Sequence, residues 1–162
     1  MSKKKFYKVL DALERKNGYH YHTGFNDLTS IPVESTYRGI DHMICYFTDV
    51  ENIFAYLNYG PIIRSVSIPE GIEPIYDPEM NAGNMIPGWY SDKVILGRPH
   101  KITLSFIKKL IRQGARIDVD DYEIFRWAVM HNPKVFRYLF YMIQGSSIEK
   151  RVITDLKSRG YL

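Results

Sequence analysis

The sequence predicts an α+β protein, with a small mixed β-sheet and flanking helices over residues 1–100 and an all-helical segment over residues 101–162. The first observation is a change of hydrophobic period near position 100, from the alternation of strands to the spacing of helices. The second is the stretch 43–68, which reads as strand, helix and strand. The chain is long enough for one solid core, so we expect the helical segment to pack on the sheet.

The stretch 43–68 forms the centre of the predicted fold. Residues Met43–Phe47 are apolar and rich in strand formers, and Thr48–Glu51 matches the capping box that opens a helix. Apolar residues then recur at helical spacing until Gly60, which predicts the end of that helix. Ile62–Ile68 alternates apolar and polar residues, as a half-buried strand does.

The N-terminal residues predict a short amphipathic helix followed by a strand. Residues Phe6–Leu13 carry one apolar stripe, and the Asn-Gly pair at 17–18 supplies a helix stop. Tyr19–Thr23 alternates with a period of two, so His20 and His22 share one face of the predicted strand.

Two long loops are predicted in the N-terminal segment, at residues 24–41 and 77–92, because Gly, Pro and Asn are concentrated there. A short strand is predicted between them at 72–76. Lys93–Leu96 is then the last predicted strand, closed by Gly97.

The C-terminal segment predicts four helices with recognisable ends. Thr103 is a candidate cap for the first, and Pro133 suits the first position of the third. Ser146 and Glu149 offer a second capping box. The predicted helices lie at 103–112, 122–130, 133–142 and 146–160.

Composition narrows the classes of function. The single cysteine, Cys45, excludes an internal disulfide and is typical of a reducing compartment. No apolar run reaches the roughly 20 residues that span a bilayer, and the N-terminus lacks the pattern of a signal peptide. We therefore expect a soluble, cytoplasmic protein without a membrane partner.

The charge is uneven along the chain. Residues 1–81 carry 8 Lys/Arg and 11 Asp/Glu, whereas residues 82–162 carry 14 and 7. A basic half attracts acidic partners, but Lys108, Lys109 and Arg112 lie where the predicted helix faces solvent. No recognition motif accompanies the charge, so we favour a solvated helix face over nucleic-acid binding.

Three histidines are the candidate metal ligands: His20 and His22 on one strand face, and His42 further along. A zinc site needs at least three protein ligands, and no cysteine pair or acid cluster accompanies these residues. We favour ordinary hydrogen bonds for them and predict no metal and no other cofactor.

Two C-terminal segments, Lys108–Ile117 and Trp127–Leu139, resemble degenerate ankyrin repeats. The offset from Leu110 to Leu139 is 29 residues, against an ankyrin period of about 33. Further motifs are similar to those of the ankyrin-repeat proteins that giant viruses of the Mimivirus type carry in many copies. These motifs are Tyr21–Gly24, Tyr46–Asp49, Leu57–Gly60, Arg64, Val66–Pro69 and Lys93–Gly97.

The resemblance implies an N-terminal domain followed by one to two degenerate repeats, and a non-enzymatic role in protein–protein interaction. The implied partner is a host or viral protein, in the host cytoplasm or the virus factory. Fewer than about three repeats are not stable alone, so we expect the helices to lean on residues 1–100. The contact residues are predicted among aromatic and basic side chains: Trp89, Arg126, Arg137 and Tyr141.

An enzymatic alternative rests on the order of two motifs. The strand end His22-Thr23-Gly24, followed by Tyr46 before a helix, is similar to the first two motifs of ADP-ribosyltransferases. That resemblance implies NAD as ligand, His22 on the ribose, Tyr46 on the nicotinamide, and Glu70 or Glu73 as the acid. Because neither glutamate has a recognisable context and Tyr46 also fits a core position, we favour the non-enzymatic interpretation.

Overall fold

The computed structural model describes the backbone of residues 3–81 and 86–162 and the side chains of all of these except 79–81. It confirms the α+β class. Twelve strands lie in the described chain: β1 (Phe6–Leu10), β2 (Arg15–Lys16), β3 (Tyr19–His20), β4 (Gly24–Asp27), β5 (Pro32–Tyr37), β6 (Ile40–His42), β7 (Cys45–Asp49), β8 (Ile62–Ser67), β9 (Ile75–Asn81), β10 (Ile86–Ser91), β11 (Lys93–Leu96) and β12 (His100–Lys101).

Eight of these strands form one sheet in the order β4-β11-β8-β1-β7-β10-β9, with β12 added beside β8. Every strand pair in the described chain is antiparallel, so the sheet is larger than the small mixed sheet predicted and is not mixed. The reason is the position of β1, which lies between β7 and β8 and pairs with both. The two strands of the stretch 43–68, β7 and β8, therefore do not pair with each other.

The predicted N-terminal helix is wrong, because Phe6–Leu10 is the central strand β1. Its side chains alternate between two cores, with Tyr7 and Val9 in one and Leu10 in the other, against which Phe6 packs. A strand covered on both faces shows apolar residues at spacings that also fit a helix stripe.

The two cores lie on opposite faces of the sheet. The helix-side core joins strand residues to every helix of the described chain and includes Ile53, Phe54, Ile107 and Ile124. The hairpin-side core is smaller and packs β1, β7, β8 and β11 against the segments around the short hairpins; its buried members are Leu10, Tyr21, Leu28, Met43, Cys45, Phe47, Val66, Val94 and Leu96.

A 3-10 helix over Val50–Tyr59, the central helix, connects β7 to β8. The predicted cap is displaced by one residue: the Asp49 carboxylate accepts from the backbone N–H of Asn52, whereas the Thr48 hydroxyl donates to the Pro87 carbonyl. The predicted end at Gly60 is confirmed. A Cβ at Gly60 would collide with the Leu10 carbonyl oxygen, which explains the glycine.

Both predicted loops contain strands. The segment 24–41 holds β4, the whole of β5 and the start of β6, while 77–92 holds most of β9 and all of β10. Residues 82–85 of the second predicted loop lie outside the described residues. The predicted strand at 19–23 is reduced to the two residues of β3, and the strand predicted at 72–76 starts at Ile75. Lys93–Leu96 is confirmed as β11, although β12 follows it.

Four α-helices follow the sheet, as predicted. The caps at Thr103 and Asn132 each accept a hydrogen bond from the backbone N–H of the third residue of their helix, and Pro133 opens the third helix. At the fourth helix, the start is confirmed, but the Ser146 hydroxyl makes no cap bond. The helices are α1 (Leu104–Arg112), α2 (Val119–His131), α3 (Pro133–Ile143) and α4 (Ser147–Ser158).

Candidate functional site

A cleft of about 420 Å³ lies where β1 and β7 stop pairing. Phe6 pairs with Asp49 and Tyr7 with Thr48, and no further pair joins these strands in the described chain; we call these two pairs the seam. β1 stays paired with β8 through Leu10, so β7 is the strand that diverges. The cleft is lined by Tyr7, Lys8, Val9, Leu10, Asp11, Arg15, Lys16, Tyr21, Tyr37, Tyr46, Phe47, Thr48, Tyr56 and Tyr59.

Two short hairpins bring residues to this cleft. The pair 17–18 turns the first hairpin with φ values of 49° and 76°, and the pair 38–39 turns the second with 49° and 80°. Positive φ at both central residues is what a type I′ turn requires, and Gly supplies it at the second position of each turn. The first hairpin contributes Arg15 and Lys16 to the cleft, and the second contributes Tyr37.

A buried ion pair holds the first hairpin on the sheet. Arg64 of β8 is only 4% exposed, and its guanidinium donates two hydrogen bonds to the Glu14 carboxylate. It also donates to Thr23 Oγ1 at 2.9 Å and to the Gly97 carbonyl at 2.7 Å. Because Glu14 precedes the hairpin and Thr23 follows it, one guanidinium fixes both of its ends.

The second hairpin is held by polar and ring contacts at its tip. The Tyr37 hydroxyl donates to Asp77 Oδ2 at 2.7 Å, and Arg38 Nη2 donates to Asp77 Oδ1 at 3.3 Å. The Tyr37 ring packs edge-on against Tyr46 and Tyr90, with centroids 5.9 and 6.1 Å away. These contacts place Tyr37 against the tyrosine of β7 that lines the cleft.

Two lysine ammonium groups lie in the cleft wall. Lys8 Nζ donates to the Tyr46 carbonyl at 2.7 Å and lies 5.5 Å from the Tyr21 ring centroid. Lys16 Nζ lies 4.9 Å from the Tyr46 ring centroid, within the range of a cation–π contact. Partial burial, and then the charge of Lys8, lower the pKa of Lys16, which indicates that the two ammonium groups share one environment.

The charge of the cleft is positive. Arg15 joins the two lysines, and Asp11 is the one carboxylate among the described residues that line it. The Asp11 carboxylate accepts from the backbone N–H of Leu13, in its own turn. A net charge of about +2 therefore faces the cleft at neutral pH.

Tyr21, Tyr46 and Tyr56 of the cleft remain neutral well above physiological pH. Burial, followed by the neighbouring Tyr37, raises the pKa of Tyr46 to about 12. Burial likewise raises the pKa values of Tyr21 and Tyr56. The neutral Tyr56 hydroxyl donates to the Ile86 carbonyl at 3.3 Å.

The Tyr21 hydroxyl is buried and has no hydrogen-bond partner among the described residues. The side chain is 2% exposed, and its hydroxyl lies beside the buried Cys45 thiol, which itself donates to the Tyr46 carbonyl. Burial raises the pKa of that thiol, so Cys45 stays a neutral, weak hydrogen-bonding group. An unpaired buried hydroxyl is costly, which makes this atom unusual in a well-packed core.

Of the residues implied by the transferase resemblance, Tyr46 lines the cleft, whereas His22 and both glutamates do not line it. His22 is exposed and contacts the Tyr19 hydroxyl and the Thr23 carbonyl. Glu70 is exposed in the turn after β8. The described structure gives no evidence for an ADP-ribosyltransferase site.

His20 and His22, the two histidines predicted on one strand face, are both exposed, but β3 ends at His20 and does not include His22. His42 Nε2 lies 3.0 Å from the Asp92 carboxylate, and this hydrogen bond raises the pKa of His42. Within residues 3–81 and 86–162, no three His, Cys, Asp or Glu side chains are grouped so as to hold a metal ion.

Three of the predicted partner-binding residues are accessible to different degrees. Trp89 of β10 is half-buried between Phe6 and Tyr76, with Lys4 Nζ 4.2 Å from its ring centroid. Arg137 and Tyr141 are exposed on α3, and Tyr141 is 78% exposed. Since they are four residues apart, these two side chains lie on the same face of α3.

Arg126 is not exposed, which corrects the expectation for this residue. It is 7% exposed and donates to the Glu123 and Asp155 carboxylates. It also donates to the carbonyls of Asp120 and Asp121, where the backbone at the start of α2 has left-handed φ values. The guanidinium thus stabilises a strained turn inside the chain.

Sequence reasoning missed Lys8, Lys16 and Tyr21 as candidate site residues. The signal for the first hairpin was present, because Asn-Gly is a strong hairpin turn, but it was interpreted as a helix stop. Nothing local places Lys8 beside Tyr46, since that contact depends on the pairing of β1 with β7.

The fold and cleft define an α+β chain with a tyrosine-lined, basic site, and comparison with known proteins gives one named relative. The chain is 38% identical over 112 residues to R229 of Acanthamoeba polyphaga mimivirus, which is named as an ankyrin repeat protein. The match covers 67% of this chain, and the chain spans 35% of the length of that relative. This similarity establishes a relationship to a giant-virus protein of the ankyrin-repeat type.

Other comparisons give no match. No protein-family model matches the chain, and no solved structure matches it. The described helices of 9, 13, 11 and 12 residues do not show a repeated structural unit. Among the described residues, no helix has the length and apolar character needed to cross a membrane.

Proposed function

We propose that this chain is a non-enzymatic protein-interaction module of the giant-virus ankyrin-repeat type, acting on a host or viral protein. The observation that carries the proposal is the 38% identity to the mimivirus protein R229, whose name is that of an ankyrin repeat protein. The proposal includes the organisation expected from the sequence, with an N-terminal lobe over 1–100 and a degenerate ankyrin-like lobe over 101–162. It also places the protein in the host cytoplasm or the virus factory.

The exposed face of α3 supports a contact role for the helical lobe. Lys134, Arg137 and Tyr141 are all exposed and follow one another at spacings of three and four residues; we call them the α3 stripe. Tyrosine and arginine are the residues most enriched at the centres of protein interfaces. The stripe carries positive charge beside a large aromatic ring, so an acidic, partly apolar partner surface would complement it.

Affinity capture from infected-cell extract tests this proposal. The wild-type chain should return the same protein in repeated captures, and the double variant Arg137→Ala/Tyr141→Ala should lose it. Lys157→Ala is the matched control, because Lys157 is an exposed basic residue on α4 outside the stripe. A partner that the stripe variant still captures at full yield contradicts the assigned surface. No reproducible partner under any condition contradicts the function.

A further inference from the structure

We propose that the cleft between β1 and β7 binds a phosphate monoester attached to a planar ring. This site is separate from the α3 stripe and does not depend on the proposed interaction with a protein partner. Its volume of about 420 Å³ falls in the range of small-molecule sites, which run from about 300 to 1,000 Å³. It lies inside the sheet, where β7 diverges from β1, rather than on a surface loop.

The charged groups fit the phosphate. Lys8, Lys16 and Arg15 line the cleft, against the single carboxylate of Asp11 among the described lining residues. The resulting net charge of about +2 complements a phosphate monoester, which carries about −1.5 to −2 at pH 7. Lysine ammonium groups bind phosphate as point charges, and an arginine adds a planar donor pair. A phosphate would also relieve the repulsion between Lys8 and Lys16.

The rings fit the planar part of the ligand. Tyr37 and Tyr46 stand edge to face with centroids 5.9 Å apart, and Tyr56 and Tyr59 pair at 5.7 Å on the central helix. All four line the cleft, and Tyr59 is 58% exposed. Aromatic walls accept a planar ring by offset stacking or by edge contact, with little preference for its hydrogen-bonding groups.

The Tyr21 hydroxyl is a second, independent observation at this cleft. Tyr21 lines the cleft and is 2% exposed, and its hydroxyl has no hydrogen-bond partner in the described chain. Because the hydroxyl is itself buried, a polar ligand atom at the inner end of the cleft would satisfy this donor once the side chains that cover it move. The favourable hydrogen bond would then be made on binding, and would be absent from the free protein.

Titration calorimetry with two ring-bearing probes, adenosine monophosphate and O-phosphotyrosine, tests the proposal on the full chain. We expect at least one of them to bind, and adenosine, tyrosine and inorganic phosphate each to bind at least about tenfold more weakly. The two probes separate the sources of the ligand. Tighter binding of adenosine monophosphate indicates a free nucleotide, and tighter binding of O-phosphotyrosine indicates a phosphorylated side chain. Inorganic phosphate binding as tightly as the better probe, or no binding by either probe, overturns the proposal.

Two variants separate the site from general charge effects. Lys16→Gln should weaken the better probe about tenfold or more, whereas Lys101→Gln, an exposed lysine on β12 outside the cleft, should not. Equal losses in both variants overturn the assignment. Tyr21→Phe should weaken binding severalfold without lowering the melting temperature of the free protein, since it removes a hydroxyl that has no partner. A Tyr21→Phe protein that binds as wild type contradicts the role of that hydroxyl.

Discussion

The two cores of this protein differ in what holds them together. The helix-side core is continuous from the sheet to the last helix through apolar contacts, and the buried Arg126 guanidinium adds an ion pair between α2 and Asp155 of α4. The hairpin-side core is smaller, and the segments that cover it are tied down by polar contacts such as the Arg64–Glu14 pair. Asn26, which is fully buried, similarly accepts from Tyr19 and donates to the His22 carbonyl.

Because of this difference, the helix-side core mainly determines the stability of the fold, whereas the polar anchors mainly position residues of the cleft. Apolar burial is non-directional and supplies most of the free energy of folding, whereas polar anchors fix particular groups at particular places. Arg15 and Lys16 of the cleft come from the first hairpin and so depend on the polar anchors, whereas Lys8 comes from the central strand β1. Four predictions test how far the helix-side core and the hairpin-side core are independent.

The largest expected effect is the loss of folding when the helical segment is separated from the sheet. Residues 101–162 expressed alone should be unfolded, because Ile107 and Ile124 share the helix-side core with Ile53 and Phe54. Circular dichroism and the dispersion of amide proton chemical shifts in NMR spectra measure whether this segment folds. A cooperative thermal transition of the isolated segment would show instead that the helices form their own core.

Phe54→Ala should lower the free energy of unfolding by about 4 kcal/mol. Phe54 is fully buried in the helix-side core, so its truncation leaves a cavity that the central helix and α2 cannot close. Urea unfolding measures the change. Leu13→Ala is the control, since Leu13 is 70% exposed and its truncation should cost less than about 0.5 kcal/mol. Similar values for both variants would contradict the described packing.

Arg64→Met should cost about 3 kcal/mol, because it leaves the Glu14 carboxylate without its buried partner. The double variant Arg64→Met/Glu14→Leu should recover much of this loss, since no unpaired charge then remains. Urea unfolding of both proteins measures the recovery. A double variant that is less stable than Arg64→Met would show that the unpaired Glu14 carboxylate is not the cause of the loss.

The smallest effect is a loss of stability at alkaline pH. Because folding raises the pKa of Tyr46 from 10.0 to about 12, its contribution is complete below pH 10 and is lost as pH rises towards 12. Tyr21 and Tyr56 act in the same direction, while Lys16, whose pKa is lowered, acts in the opposite direction. Between pH 9 and 12, the urea concentration at the midpoint of unfolding should fall less steeply with pH in the Tyr46→Phe variant than in the wild-type chain. An identical slope would mean that Tyr46 does not contribute.

Prediction from the sequence succeeded where neighbours along the chain decide the structure. The cap at Thr103 and the proline at 133 act within one helical turn, so α1 and α3 were located closely. The inner face of the central helix was also evident, and Ile53 and Phe54 are buried. Hydrophobic period and cap chemistry are local properties, and they specify helices well.

The strands near the N-terminus were misassigned because their identity depends on distant partners. The apolar positions of Phe6–Leu10 fit a helix stripe as well as a doubly covered strand, and only β7 and β8 on either side decide between them. The segments 24–41 and 77–92 contain Gly and Pro, and their strands gain partners from other parts of the chain. The cleft could not be predicted, because it exists only where β7 diverges from β1.

The seam has a mechanical consequence. In the described chain, β1 makes five residue pairs with β8 but only the two pairs of the seam with β7. The strands β7, β10 and β9 are therefore joined to the rest of the sheet by few backbone hydrogen bonds. Asp49 pairs with Phe6 in the seam and also caps the central helix, so a substitution at Asp49 would disturb the strand junction and the start of that helix together.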